Sequence, residues 1–275
     1  MLGRWVVIAA CALGGCTFTP GGTRATTGDD AVAASDGAVA ADGRFADGAL
    51  DAQGLDAGLD AALDAALIDA HVPTTPALVQ QAVKFGMTGS PLTVALPGAP
   101  VAGHVLVMVG AANHFQLDGV SGGGVATWSR AARSNNNANV ELWVGVTNGS
   151  SSSVSITLAN NPGAIWMQVS EWSGLDTAAL LDGAKAASGT TNPASAGSLT
   201  TTARDLVIFG VADLKASTLG TPTGGPWTAM TGIANASVTQ AEFFQIVDAG
   251  TAVAPTITET RNMWDAAIAG LRIAP

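Results

Sequence analysis

Val140-Glu141-Leu142-Trp143-Val144-Gly145-Val146 sets the fold class. Val140, Leu142, Val144 and Val146 alternate with other residues at a period of two, which in a strand puts all four on one face of a sheet. The same alternation recurs in Leu92, Val94 and Leu96 and in Val154, Ile156 and Leu158. Residues 105–109 and 206–209 are instead continuous apolar runs, the pattern of strands covered on both faces. Between these stretches lie Pro97-Gly98, residues 121–124, Asn148-Gly149, Asn161-Pro162-Gly163 and Gly224-Gly225-Pro226, all turn-formers. Many short strands separated in this way predict an all-β domain over residues 76–275, a two-sheet antiparallel β-sandwich of jelly-roll type. Residues 264–273 are less decisive, since their alanines suit a short helix as well as a strand.

The domain repeats itself at an offset of about one hundred residues, which divides it near residue 175. Gly103-His104-Val105-Leu106-Val107 corresponds to Arg204-Asp205-Leu206-Val207-Ile208, and Trp128 to Trp227, each behind glycines. Glu141-Leu142-Trp143 aligns with Glu242-Phe243-Phe244, Ile156-Thr157 with Ile257-Thr258, and Ala164-Ile165-Trp166 with Asn262-Met263-Trp264. Two arrangements satisfy such a repeat: both halves feed one two-sheet sandwich, or each folds as a small sandwich of its own. The absence of a linker between residues 170 and 206 favours the first.

Upstream, residues 17–75 are rich in Ala, Asp, Gly and Thr and bury too little apolar surface to offset their conformational entropy, so a disordered tether is expected. Most of the aspartates lie here, and they account for much of the formal net charge of -10. Leu50, Leu55, Leu59, Leu63 and Leu67 recur near helical spacing, compatible with a short amphipathic helix or a Leu-Asp-Ala spacer. The loop spacing of a calcium-binding EF-hand is missing. No clustered basic surface is evident in the sequence, which argues against nucleic acid as a partner.

The N-terminus carries Arg4, then a short apolar run to Leu13, far below the ~20 residues that span a bilayer. Leu13-Gly14-Gly15-Cys16 follows, and this segment resembles the lipobox of bacterial lipoproteins. The resemblance implies removal of residues 1–15, a diacylglyceryl group on the Cys16 thiol and acylation of its new amine. Thr17 after that cysteine favours the outer membrane or cell surface over the inner membrane. Apart from Cys11, which would leave with the signal, the sequence holds no other thiol.

Several residues invite catalytic readings. Gly119-Val120-Ser121-Gly122-Gly123 fits the G-x-S-x-G elbow, but no histidine follows His114 to complete a triad. Glu171 and Asp176 suggest the paired carboxylates of a glycosidase. Strand phase puts Glu171 on the inward side with Ile165, Met167 and Val169, where a strand-end acid bonded to turn amides also accounts for it. His104 and His114 have no further ligands at metal-site spacing, and no cofactor is expected.

Trp128, Trp143, Trp166, Trp172, Trp227 and Trp264 are first of all core residues. Trp128 and Trp227, beside glycine-rich loops, are the better candidates for binding. The order of apolar run, Gly-rich turn, Trp, Glu-aromatic strand, Thr-rich strand and Glu171-Trp172-Ser173-Gly174 resembles secreted bacterial β-sandwich modules. That resemblance covers much of residues 103–175 and transfers no catalytic residue. The reading is a lipid-anchored envelope protein displaying a β-sandwich that binds a glycan or a protein surface. The alternatives are a glycan-directed hydrolase using Glu171 and a structural envelope protein without a small ligand.

Overall fold

The computed structural model describes residues 74–87, 91–136, 138–157, 164–213, 217–234, 238–261 and 263–275. Cys16, the signal segment, the tether and Leu158 lie outside these residues. The first eight strands are β1 (Ala77–Gly86), β2 (Leu92–Ala95), β3 (Val105–Ala112), β4 (Gly119–Gly122), β5 (Ser129–Arg133), β6 (Glu141–Val146), β7 (Ser153–Thr157) and β8 (Ile165–Ser173). The second eight are β9 (Leu181–Gly189), β10 (Leu199–Thr200), β11 (Asp205–Asp213), β12 (Thr228–Ala229), β13 (Ile233–Ala234), β14 (Thr239–Val247), β15 (Ala252–Val253) and β16 (Trp264–Arg272). The alanine-rich 264–273 stretch is thus a strand, held between β11 and β9.

All the pairings among the described residues are antiparallel, and they form four open sheets in place of the two expected. The orders are β1-β8-β3-β6-β5, β2-β7-β4, β12-β14-β11-β16-β9 with β13 also on β14, and β10-β15. None closes into a jelly-roll barrel. No sheet mixes strands from the two halves, and the five-strand order of the first half reappears in the second as β9-β16-β11-β14-β12.

The cores explain why four sheets form. Val105, Val107 and Val109 on β3 face Leu206 and Ile208 on β11 across a central core between the two large sheets. Leu106 and Met108 face the opposite way, onto Val94, Val154 and Ile156 of the three-stranded sheet. Val207 and Phe209 likewise turn outward onto Leu199 and Val253 of the two-stranded sheet. The central strands β3 and β11 are therefore buried on both faces, which requires the unbroken apolar runs seen in the sequence. At the centre the backbones come close, and a Cβ on Gly210 would lie 2.7 Å from a Val109 methyl. The missing linker is explained as well: residues 174–180 run from β8 directly to β9, tied to the end of β16 by the Leu175–Ile273 bridge and by the Asp176 amide donating to Arg272 O.

The alignment of the halves needs a correction of one residue. Leu142 and Val144 face the central core, and so do Phe244 and Ile246, so Glu242 shares the phase of Leu142 and not that of Glu141. Trp166 lies in the central core whereas Trp264 lies in the outer one, so these two are also out of phase. A slip of one residue reverses every side chain of a strand. The slip matters for Glu242, which is 1% exposed, with neither carboxylate oxygen hydrogen-bonded. Burial pushes its pKa well above the ordinary value and favours the protonated acid.

Such a group contributes most at low pH, and its contribution falls as the pH rises through the folded pKa. Glu242→Leu, which installs the residue of the matching position, should stabilise the domain by about 1–3 kcal/mol at neutral pH. Thermal melts should show a gain of about 2–4 °C for each kcal/mol.

Candidate functional site

The most chemically varied outer surface lies over β5 and β6. Cross-strand partners share a face, and Arg130 lies opposite Trp143 while Arg133 lies opposite Glu141. Residues three apart on a regular strand would face opposite ways. A register irregularity between Arg130 and Ala132 removes that conflict and turns both arginines outward, while Ala132 stays in the central core. The Arg130 guanidinium stands 5.4 Å from the centre of the half-buried Trp143 ring, a cation–π contact.

Glu141 is the buried pivot of this group. Its Oε2 accepts from the Trp143 indole N–H at 3.0 Å and lies 3.6 Å from Arg130 Nη1, while Oε1 accepts from the Leu117 amide at 2.9 Å. Burial raises its pKa, opposed in turn by the Leu117 amide, the indole and the two arginines. Arg133 Nη1 donates to Gln116 Oε1 at 2.8 Å, and Gln116 Nε2 donates to Asn135 Oδ1 at 3.2 Å. The result is a platform of one aromatic ring, two guanidiniums and two amides. By strand phase the second half has Phe243 and Ala241 in place of Trp143 and Glu141, and its short β12 carries no arginine.

The residues singled out from the sequence are dispersed. Cys16 is outside the described residues. Trp128 and Trp227 are both half-buried; their indoles donate to Gly122 O at 3.1 Å and to Thr223 O at 3.0 Å. Trp128 packs on one outer core and Trp227 on the other, the latter ring 5.8 Å from Phe209, so the two do not share a groove. Ser121 is on β4 opposite Ser155, and three successive glycines, Gly122 to Gly124, have φ between 67° and 86°. The segment is an edge strand followed by a glycine turn, with no helix behind the serine as an elbow requires.

Glu171 is fully buried and saturated. Val101 N at 2.8 Å and His104 Nδ1 at 2.6 Å meet Oε1, and Gln80 Nε2 donates to Oε2 at 2.5 Å. The turn amide matches the sequence expectation; the His104 pairing adds to it, because the two residues meet only through the β3–β8 register. Asp176 caps the amides of Ala178 and Ala179. These arrangements pin loops, and Glu171 has no free edge for a substrate. Among the described residues no three His, Cys, Asp or Glu side chains group as a metal centre would need. A cleft of about 360 Å³ beside Thr127, Val146 and Leu181 has no titratable group in its lining.

The second half pins its corresponding loop with a different acid. The amide and hydroxyl of Thr202 both donate to Asp182, and Arg272 Nη2 donates to the same carboxylate at 2.8 Å. Asp182 occupies the irregular position of β9, as Val79 does in β1. Burial works against its charge, but the Thr202 and Arg272 bonds outweigh it and hold the pKa well below the ordinary value. Asp205 beside it is pushed up to about 7, first by burial and then by the Asp182 charge, with Arg272 opposing. Neither Asp205 oxygen has a hydrogen-bond partner, and its protonated form is favoured up to a pH of about 7.

Compared with protein-family models, curated proteins and solved structures, the chain matches none. The comparisons therefore leave the site to be read from its chemistry.

Because the folded pKa of Asp205 exceeds its unfolded value, its contribution is complete below pH ~4 and is lost as the pH rises through about 7. Asp205→Asn should flatten that decline and raise the melting temperature at pH 8 by about 3–6 °C, with little change at pH 4. A pH series of melts on the two proteins measures it.

Proposed function

We propose that the chain is a lipid-anchored envelope protein whose β-domain is a binding module built from two related halves, one of which keeps the binding platform. The repeated sheet order supports a common origin of the halves, and their divergence at the platform supports a division of labour. The observation that carries the reading is the pairing of the exposed Arg130 with the half-buried Trp143: arginine and tryptophan are among the side chains enriched at the energetic centre of recognition surfaces.

Topology supports an orientation. The chain enters beside Gly174 and Arg204, where Thr74 O accepts from Arg204 Nη1. Arg133, Glu141, Gln116 and Asn135 cluster at the other end of the strands, where β3 finishes and β8 begins. An attachment upstream of Thr74 joins the domain at the end opposite this cluster. Two acyl groups on Cys16 would anchor the chain stably where one would hold it only marginally. Glu171, saturated by three donors, gives the hydrolase alternative no support.

Two experiments test the reading. Mass spectrometry of the mature chain should find a lipid-modified N-terminal Cys16, and Cys16→Ser should release the protein from the membrane fraction; an unprocessed soluble chain would refute the anchor. In a binding screen of the full chain against glycans and envelope fractions, Trp143→Ala should weaken retention about tenfold or more, a loss of ~1.4 kcal/mol, while Trp227→Ala should not. Equal retention of all three proteins would remove the platform.

A further inference from the structure

Resting on the binding-module reading, we infer that the Arg130–Arg133–Trp143 platform recognises a carboxylated polysaccharide, one built from uronic acid units. The chain has 11 Lys and Arg against 21 Asp and Glu, yet two of its few cations stand on the same face of one edge strand. A regular strand would separate them, and only the irregularity at Ala131 puts them together. Bringing like charges side by side disfavours the free protein unless an anion joins them.

The acid beneath does not fill that role for both. Glu141 lies 3.6 Å from Arg130 through one nitrogen, and its other oxygen is occupied by the Leu117 amide. Arg133 is held by a neutral amide oxygen, that of Gln116. Much of the donor capacity of the two planar guanidiniums is therefore unused, and a guanidinium fork matches a carboxylate in two parallel hydrogen bonds. Asp118 is exposed in the neighbouring loop, and His114 is exposed there too; of the two, only the aspartate opposes an anion.

The rest of the platform selects a sugar among anions. Trp143 is half-buried against the outer core, with its N–H tied to Glu141 and Arg130 over its ring, so it adds a ring edge of fixed tilt beside the guanidiniums. Gln116 and Asn135, both exposed, add amide groups suited to hydroxyls. A ring with one apolar face, hydroxyls on its rim and a carboxylate at one end satisfies all three features together. A simple acidic peptide uses the guanidiniums but not the flat ring.

The test uses the full chain, with polygalacturonate and alginate as acidic probes, methyl-esterified polygalacturonate as the uncharged counterpart, and polyglutamate as an acidic polypeptide. Retention on at least one uronate polymer is expected, with at least about tenfold weaker retention on the methyl ester and on polyglutamate, and with loss in 1 M salt, where screening shortens to about 3 Å. The double substitution Arg130→Gln/Arg133→Gln should abolish uronate retention. Arg130→Lys keeps the charge but loses the planar fork, and should weaken it several-fold. Trp143→Phe should weaken it while the melting temperature shows the domain intact.

Equal retention of the ester and the free acid, or uronate binding unaffected by the double substitution, would overturn the inference. So would polyglutamate binding as tightly as uronate, which would assign the surface to an acidic protein. Binding to neutral glycans that depends on Trp143 but not on the arginines would leave the binding-module reading standing and this inference refuted. Absence of binding to every glycan and envelope fraction would refute both.

Discussion

Face-to-face packing of the two large sheets is the constraint from which the remaining architecture follows. Valines of β3 meet Leu206 and Ile208 of β11 in a core that neither half could leave exposed to water. Once the inner faces are committed to each other, the outer faces of the same strands still carry Leu106, Met108, Val207 and Phe209. The small sheets cover them. The T-shaped contact of Trp172 with Phe244, 4.9 Å between ring centres, and the bond from the Ala138 amide to Asp265 Oδ2 tie the halves at opposite ends of the central core. The described residues hold no cysteine, and β3, β8, β11 and β16 bury both of their faces.

Within this frame the buried acids act as loop anchors. Glu171 and Asp182 come from different strands, yet each gathers a turn amide and side-chain hydrogen-bond partners at the same end of its half. A buried carboxylate is tolerable only with such partners. Where they are missing, as at Glu242, the acid is driven toward its neutral form. Where two acids crowd, as at Asp182 and Asp205, one of them keeps its proton. The domain thereby accommodates several carboxyls in its interior with few cations nearby.

Much of the fold was legible in the sequence, and the reasons are local. Period-two alternation at Val140, Leu142 and Val144 and the continuous runs at 105–109 and 206–209 encode strand identity and double burial. The number of sheets was not legible, because alternation tells which residues share a face and not which strand covers that face. The similarity of the halves was readable, but its phase was not: Glu141 and Glu242 look equivalent along the chain, while pairing sends one outward and the other inward. The same gap hid the platform. Arg130 and Arg133, three apart, read as opposite-facing, and only the register irregularity reveals a common direction. Trp143 belonged to an ordinary alternating strand, and like Trp128 it is half-buried against the outer core of the first half.

The extra residue in β5 has one more effect. This strand ends the five-stranded sheet, and a straight, uncharged edge with open amides and carbonyls invites another chain to zip onto it. A kinked edge crowned with two cations is a poor template for a copy of itself. The domain can then be concentrated without copies of it joining through this edge.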